Sequence, residues 1–170
     1  MVVTMKNILV IDQATINTAY TVITLEDKKP VYKLASLVKL HGSREVRFRM
    51  LELFNILCNL IEEYNIDTLV IEEVITSRSK NWSVTAVLLE LKGIMMLVSA
   101  KYNLKLHVMN INKWKATAGI KSSTRDKQKS ESIALALKRF PIYKDIIYDS
   151  DDVSDALNMS YSFLKIEKII

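Results

Sequence analysis

A chain of 170 residues, 49% apolar and 25% charged, has the make-up of one ordinary globular domain, so residues 1–170 read as a single unit. That composition excludes a disordered tail, a collagen-like fibre and a disulfide scaffold. The net charge of +5 is unevenly spread: Lys101 to Lys144 carries 11 Lys or Arg against 2 acids, and Asp145 to Asp155 then carries five Asp and no base.

Asn7 to Asp12 (Asn-Ile-Leu-Val-Ile-Asp) predicts a buried strand that ends in a carboxylate. Ala19 to Leu25 and Val31 to Val38 are β-branched or alternating runs separated by a turn, and with the first strand they predict an antiparallel meander. Ser43 to Tyr64 repeats apolar residues at spacings of three and four, the pattern of an amphipathic helix. Asp67 to Glu72 is a second buried strand closed by a carboxylate. Trp82 to Tyr102 predicts a long helix with little polar surface, Leu104 to Met109 a strand, Thr124 to Phe140 a helix stopped before Pro141, and Asp151 to Ile166 a last helix. The order βββ-α-β-α-β-α-α implies a mixed five-stranded sheet, a three-strand antiparallel meander plus two parallel strands, flanked by helices. That is a ribonuclease H-like α/β architecture. The most apolar stretch, Thr85 to Ala100, is broken by Glu90 and Lys92, so no membrane span is expected. The one cysteine, Cys58, forms no internal disulfide and fits a reducing cytoplasm.

The chemistry rests on acids. Asp12 and Glu72 end two strands expected to lie side by side and parallel, so their C-terminal ends meet where open α/β sheets place their sites. Asp152 and Asp155, at i and i+3, share one helix face. Converging carboxylates repel and need a counter-charge, which hard divalent cations with oxygen ligands supply. Two such ions stabilise the attacking and leaving oxygens of an in-line phosphoryl displacement. His41 and His107 have no ligand spacing, which argues against zinc. No phosphate-cradling or dinucleotide glycine motif is present, so no nucleotide cofactor is expected.

Ile8-Leu-Val-Ile-Asp-Gln-Ala-Thr-Ile-Asn-Thr-Ala-Tyr20, Val70-Ile-Glu-Glu-Val74 and Asp152-Val-Ser-Asp-Ala-Leu157 resemble, in order and spacing, the three motifs of RuvC-type Holliday junction resolvases. The short, Lys-rich form is most similar to the bacteriophage branch, which would place it in a bacterial or phage-infected cytoplasm. The resemblance implies a homodimeric, Mg²⁺-dependent endonuclease, with two ions per site and Mn²⁺ as a substitute. It would nick symmetric strands of four-way junctions, and forks and flaps are further candidate substrates. By position, Asp12, Glu72, Asp152 and Asp155 match the four metal-binding carboxylates, with Glu73 and Asp151 as the adjacent alternatives. Lys115 and Lys129 align with basic residues used near the scissile phosphate, and Lys113, Lys121, Arg125 and Lys127 are candidates for holding the DNA backbone.

Two features depart from that pattern. Gln13-Ala14 stands where the family often has Pro-Gly, and Ile75 falls where bacterial members place an aromatic wedge, leaving Trp82 as a candidate to stack on an unpaired base. The apolar surface of helix 82–102 predicts a shared dimer helix, and Gly93 suggests close packing there. Two competing functions remain at this stage: a non-catalytic junction-binding module, and a YqgF-like nuclease acting on RNA.

Overall fold

The computed structural model describes residues 6–76 and 82–170. Strands β1 (Asn7–Asp12), β2 (Asn17–Glu26), β3 (Lys29–Lys39), β4 (Thr68–Glu72) and β5 (Lys105–Met109) form one sheet in the order β3-β2-β1-β4-β5. β1–β2 and β2–β3 are antiparallel, while β1–β4 and β4–β5 are parallel, which is the mixed sheet expected from the sequence. Between β2 and β3 the turn is only Asp27-Lys28, both at positive φ, as a tight hairpin requires.

Helices α1 (Val46–Tyr64) and α2 (Trp82–Lys101) cover one face of the sheet. Helices α3 (Ile111–Ala118), α4 (Arg125–Arg139), α5 (Lys144–Asp149) and α6 (Asp151–Ile166) lie on the other, with a 3-10 turn at Pro141–Tyr143. α3, the 3-10 turn and α5 extend the predicted order. α3 is short, and only Trp114 and Ala118 of its residues are buried, one turn apart. Its ends are nevertheless marked: the Asn110 side chain accepts from the Lys113 N–H, and Gly119 takes the left-handed cap at φ 94°.

The side-chain alternation of β1 and β4 decides which way their last residues point. Leu9, Ile11, Leu69 and Ile71 pack with α1 and α2, through Leu53, Leu57, Leu91 and Met95. Ile8, Val10 and Val70 pack the opposite way, against Trp114 of α3 and Met159 and Phe163 of α6. With a period of two, Asp12 and Glu72 face α3 and α6, and Glu73 faces away from them. The register Ile11↔Ile71 sets Asp12 and Glu72 level with each other.

α6 carries a buried polar stripe, Ser154, Asn158, Ser160 and Ser162, and each of its hydroxyl and amide groups has a partner. The Asn158 amide donates to the Ser132 main-chain carbonyl of α4 at 2.8 Å and receives Arg139 Nη1 at 2.7 Å. These bonds fix the rotation of α6 about its axis, and so the direction of its acidic face.

α2 is apolar over most of its surface, with Glu90 and Lys92 as charges in its middle, and among the described residues it is the one helix with the length and composition of a membrane span. Its inner face, Leu91, Met95 and Val98, is fully buried in the sheet–α1 core, while Met96 and Leu97 are more than half exposed. A Cβ at Gly93 would meet nothing within 4 Å, so close packing inside the chain is not the reason for this glycine. Cys58 is buried on α1, within 3.6 Å of the Lys101 ammonium.

Candidate metal centre and its basic rim

Asp12, Asp152 and Asp155 line a cavity of about 180 Å³ together with Lys115, Arg125, Gln128 and Lys129. Glu72 closes the cluster from β4, close enough to Asp12 for each carboxylate to feel the other. Burial pushes Asp12 well above the usual carboxylate range, and the charges of Glu72, Asp155 and Asp152 push it further. Glu72 is also raised by burial, opposed by the Trp114 indole N–H at 3.1 Å from its Oε1 and by the Lys115 ammonium.

Asp155 is raised by burial, against a hydrogen bond from the Ser132 hydroxyl and the charge of Lys115. Asp152 is raised by burial and by Asp151, and lowered by Lys129 and by a hydrogen bond with Asn17. Among the described residues, no three His, Cys, Asp or Glu side chains stand close enough together to hold a metal ion as they are placed. Three of the acids have protein partners: Glu72 has Trp114, Asp155 has Ser132 and Asp152 has Asn17. The donor set suits a hard divalent ion: it is all carboxylate oxygen, with charge repulsion that a cation relieves. Mg²⁺ in particular takes few protein ligands and keeps several waters.

The alternative acids stand elsewhere. Glu73 turns away and its Oε2 accepts from Asn110 Nδ2 at 2.7 Å. Asp151 is ion-paired with Lys129, and that hydrogen bond holds the ammonium above its ordinary pKa. Lys115 donates to Gln128 Oε1 at 3.1 Å and stands over the Trp114 ring.

The family described as crossover junction endodeoxyribonuclease RuvC matches residues 8–162, which take in every element from β1 almost to the end of α6. The chain belongs to the RuvC family. Resolvases of this family are metal-dependent nucleases that generally use Mg²⁺. A comparison with curated proteins finds no match. Among solved structures, the chain is similar to Thermus thermophilus RuvC in complex with a Holliday junction substrate, at TM-score 0.68 and 12% identity, covering 92% of this chain and 91% of that one. It is also similar to the fowlpox virus Holliday junction resolvase, at TM-score 0.62 and 17% identity over 94% and 97% of the two chains. The yeast mitochondrial Holliday junction resolvase gives TM-score 0.62 and 14% identity over 97% of this chain and 82% of that one. These likenesses confirm the ribonuclease H-like fold.

Other residues that the RuvC resemblance singles out spread around this centre. Lys121, Arg125 and Lys127 are exposed at the start of α4 and the loop before it, and of the three only Arg125 reaches the cavity. Lys113 is exposed on α3 and lines a different hollow, with His107 and Glu167. Ile75 lines a cavity of about 280 Å³ on the far side of Glu72, with Val84 and Leu88 of α2. Trp82, 69% exposed, begins α2, just after a segment outside the described residues. The sequence reading missed Trp114, Ser132, Asn17 and Gln128 as holders of the acids and of Lys115. Trp114 alone had a visible signal, a large aromatic between two lysines.

Proposed function

We propose that this RuvC-family endonuclease binds four-way DNA junctions as a homodimer and nicks them symmetrically, with Asp12, Glu72, Asp152 and Asp155 holding two divalent ions in each site. The observation that carries this reading is the meeting of two strand-end carboxylates with an i, i+3 acidic pair beneath a rim of Lys115, Arg125 and Lys129. The Thermus and fowlpox resolvases solved with Holliday junction DNA lend it support. A pure DNA-binding module gains nothing from four half-buried acids beside phosphates.

When bound, Mg²⁺ supplies charge at the attacking and leaving oxygens and lowers the pKa of the attacking water. The chain's own residues do the rest. Asp12, central to the cluster, would hold the ions together with Glu72, Asp152 and Asp155. Trp114 keeps Glu72 turned toward Asp12, and Ser132 does the same for Asp155. Lys115, beside both Glu72 and Asp155, places an ammonium where charge builds on the phosphoryl oxygens. Lys129 exchanges Asp151 for a phosphate as DNA arrives. Lys113, Lys121, Arg125 and Lys127 contribute affinity and salt sensitivity without sequence information. Ile75 and Trp82 lie toward the junction centre, as an aliphatic wedge and a stacking platform.

The deciding experiment is cleavage of a panel by purified protein in Mg²⁺ and in Mn²⁺: four-way junction, fork, flap, linear duplex and structured RNA, with nick positions mapped. Paired symmetric nicks in the four-way junction support the reading. Junction binding without nicks, or faster cutting of the RNA, contradicts it.

Trp114→Phe tests the electrostatics. The indole N–H lowers the pKa of Glu72, so its loss raises that pKa. Ionised Glu72 is the form that holds a cation, so the acidic limb of the single-turnover pH–rate profile moves to higher pH. An unmoved limb contradicts the role given to Trp114.

The dimer is assigned to the outer face of α2, where Leu89, Met96 and Leu97 are exposed and Gly93 has open space. A two-fold axis there presents two sites to a pseudo-two-fold junction. The double variant Met96→Glu/Leu97→Glu should sediment at the monomer mass of 19.5 kDa and leave single, unpaired nicks. A dimer that survives both charges contradicts this face.

A further inference from the structure

We infer that Gln13 is a positioning residue for the metal centre: its side chain stands in for a missing stretch of strand and sets the spacing between the Asp12 and Glu72 main chains. This inference rests on the metal-centre reading above and extends it to the residue that departs most visibly from the family's Pro-Gly pattern.

The ladder between β1 and β4 runs from Ile8↔Thr68 to Ile11↔Ile71 and stops there, because the chain leaves the sheet after Asp12. Main-chain groups alternate sides along a strand. The Glu73 N–H faces β5 and donates to the Met109 carbonyl at 2.9 Å. The N–H and C=O of Glu72 therefore face β1, at the level where β1 no longer offers a partner. The Gln13 carboxamide supplies both partners: its Nε2 donates to the Glu72 carbonyl at 2.7 Å, and its Oε1 accepts from the Glu72 N–H at 3.2 Å. The side chain thus reproduces one more rung of the parallel ladder. Gln13 is 7% exposed, so water does not offer these groups an easy substitute.

The consequence is specific to the site. Asp12 and Glu72 end the two strands, and the rung that ties their ends together is the one made by Gln13. Arg49 Nη1 holds the same turn from α1, through the Thr15 carbonyl at 2.7 Å. A proline at position 13 has no amide to offer, so a chain with the Pro-Gly turn must hold these strand ends in another way.

The test is Gln13→Met, which keeps the length and apolar stem and deletes both hydrogen bonds. Binding of Mn²⁺ to the EDTA-stripped protein is measured by calorimetry, alongside the melting temperature without metal and the Mg²⁺ dependence of junction nicking. Outer partners of metal ligands are typically worth about 10–100-fold in affinity. The expected result is Mn²⁺ affinity and half-saturating Mg²⁺ both weakened by that factor, with the nicking rate at saturating Mg²⁺ recovering toward the unmodified protein. A loss of melting temperature with Mn²⁺ affinity within about threefold of the unmodified protein overturns the inference and leaves Gln13 a merely structural residue. If Gln13→Met does not fold, Gln13→Asn, one methylene short of Glu72, carries the same expectation. Asp12→Asn is the control. If it too binds Mn²⁺ undiminished, the metal-centre reading fails; if it loses the ion and Gln13→Met does not, the inference about Gln13 alone fails.

Discussion

Asp12→Asn should lower the nicking rate of a four-way junction in Mg²⁺ by at least about 10³-fold, near the upper end of what single electrostatic elements of active sites contribute. The same substitution should leave junction binding in EDTA unchanged or tighter. The reason is the position of Asp12: it feels the charges of Glu72, Asp155 and Asp152 together. Replacing it removes the acid that the other three surround, and also removes a negative charge from a surface that must accept phosphate. Glu72→Gln should behave alike. Lys121 and Lys127, exposed and outside the cavity, should show the opposite signature when changed to Ala: weaker, less salt-sensitive binding with a nearly normal rate on bound junction. Gel-shift affinity in EDTA, set beside single-turnover nicking in Mg²⁺, separates the two classes.

The second large effect is on stability, and its sign is opposite to that of most core substitutions. All four acids are raised above their ordinary values, with burial the first cause in each. A raised carboxyl pKa means that the folded chain binds protons more tightly than the unfolded one. That contribution is fully present below the ordinary carboxylate range and is lost as pH rises through the raised values. In EDTA the protein should therefore lose melting temperature on going from mildly acidic to alkaline pH, and Mg²⁺ should restore it at alkaline pH. Asp12→Asn, by removing the most strongly raised acid, should melt higher than the unmodified protein in EDTA at alkaline pH. Each kcal/mol of relieved repulsion is worth about 2–4 °C in a domain of this size. The variant should also lose most of the Mg²⁺-induced rise. Differential scanning calorimetry across pH, with and without Mg²⁺, checks it; a variant that melts lower in EDTA at alkaline pH contradicts the account.

What was legible in the sequence follows from range. β1 and β4 declare themselves because Ile8–Ile11 and Leu69–Ile71 are continuous apolar runs stopped by a single charge, and strand parity alone turns Asp12 and Glu72 to a common face. α6 is legible as a helix, and so is its i, i+3 acidic pair. The choice between Asp151 and Asp152 is not, because helix geometry allows either. What distinguishes them in the fold is Lys129, 22 residues away, which pairs with Asp151.

α3 escaped because eight residues with two inward side chains give too little periodicity to separate from a loop. α5 escaped because Pro141 ends α4 and conceals the restart behind it. Which acid each holder meets was not legible either. Gln13 finds Glu72 across 59 positions, Trp114 finds it across 42, and Ser132 finds Asp155 across 23. No local pattern encodes such pairings; they exist only once the sheet and the α3–α6 layer have packed.

The most direct test of the central claim is anomalous diffraction at the manganese edge from crystals of the protein soaked in Mn²⁺. The prediction is density for divalent ions bounded by Asp12, Glu72, Asp152 and Asp155. Manganese found only elsewhere on the surface, or acids that keep their protein partners in the presence of the ion, would contradict it.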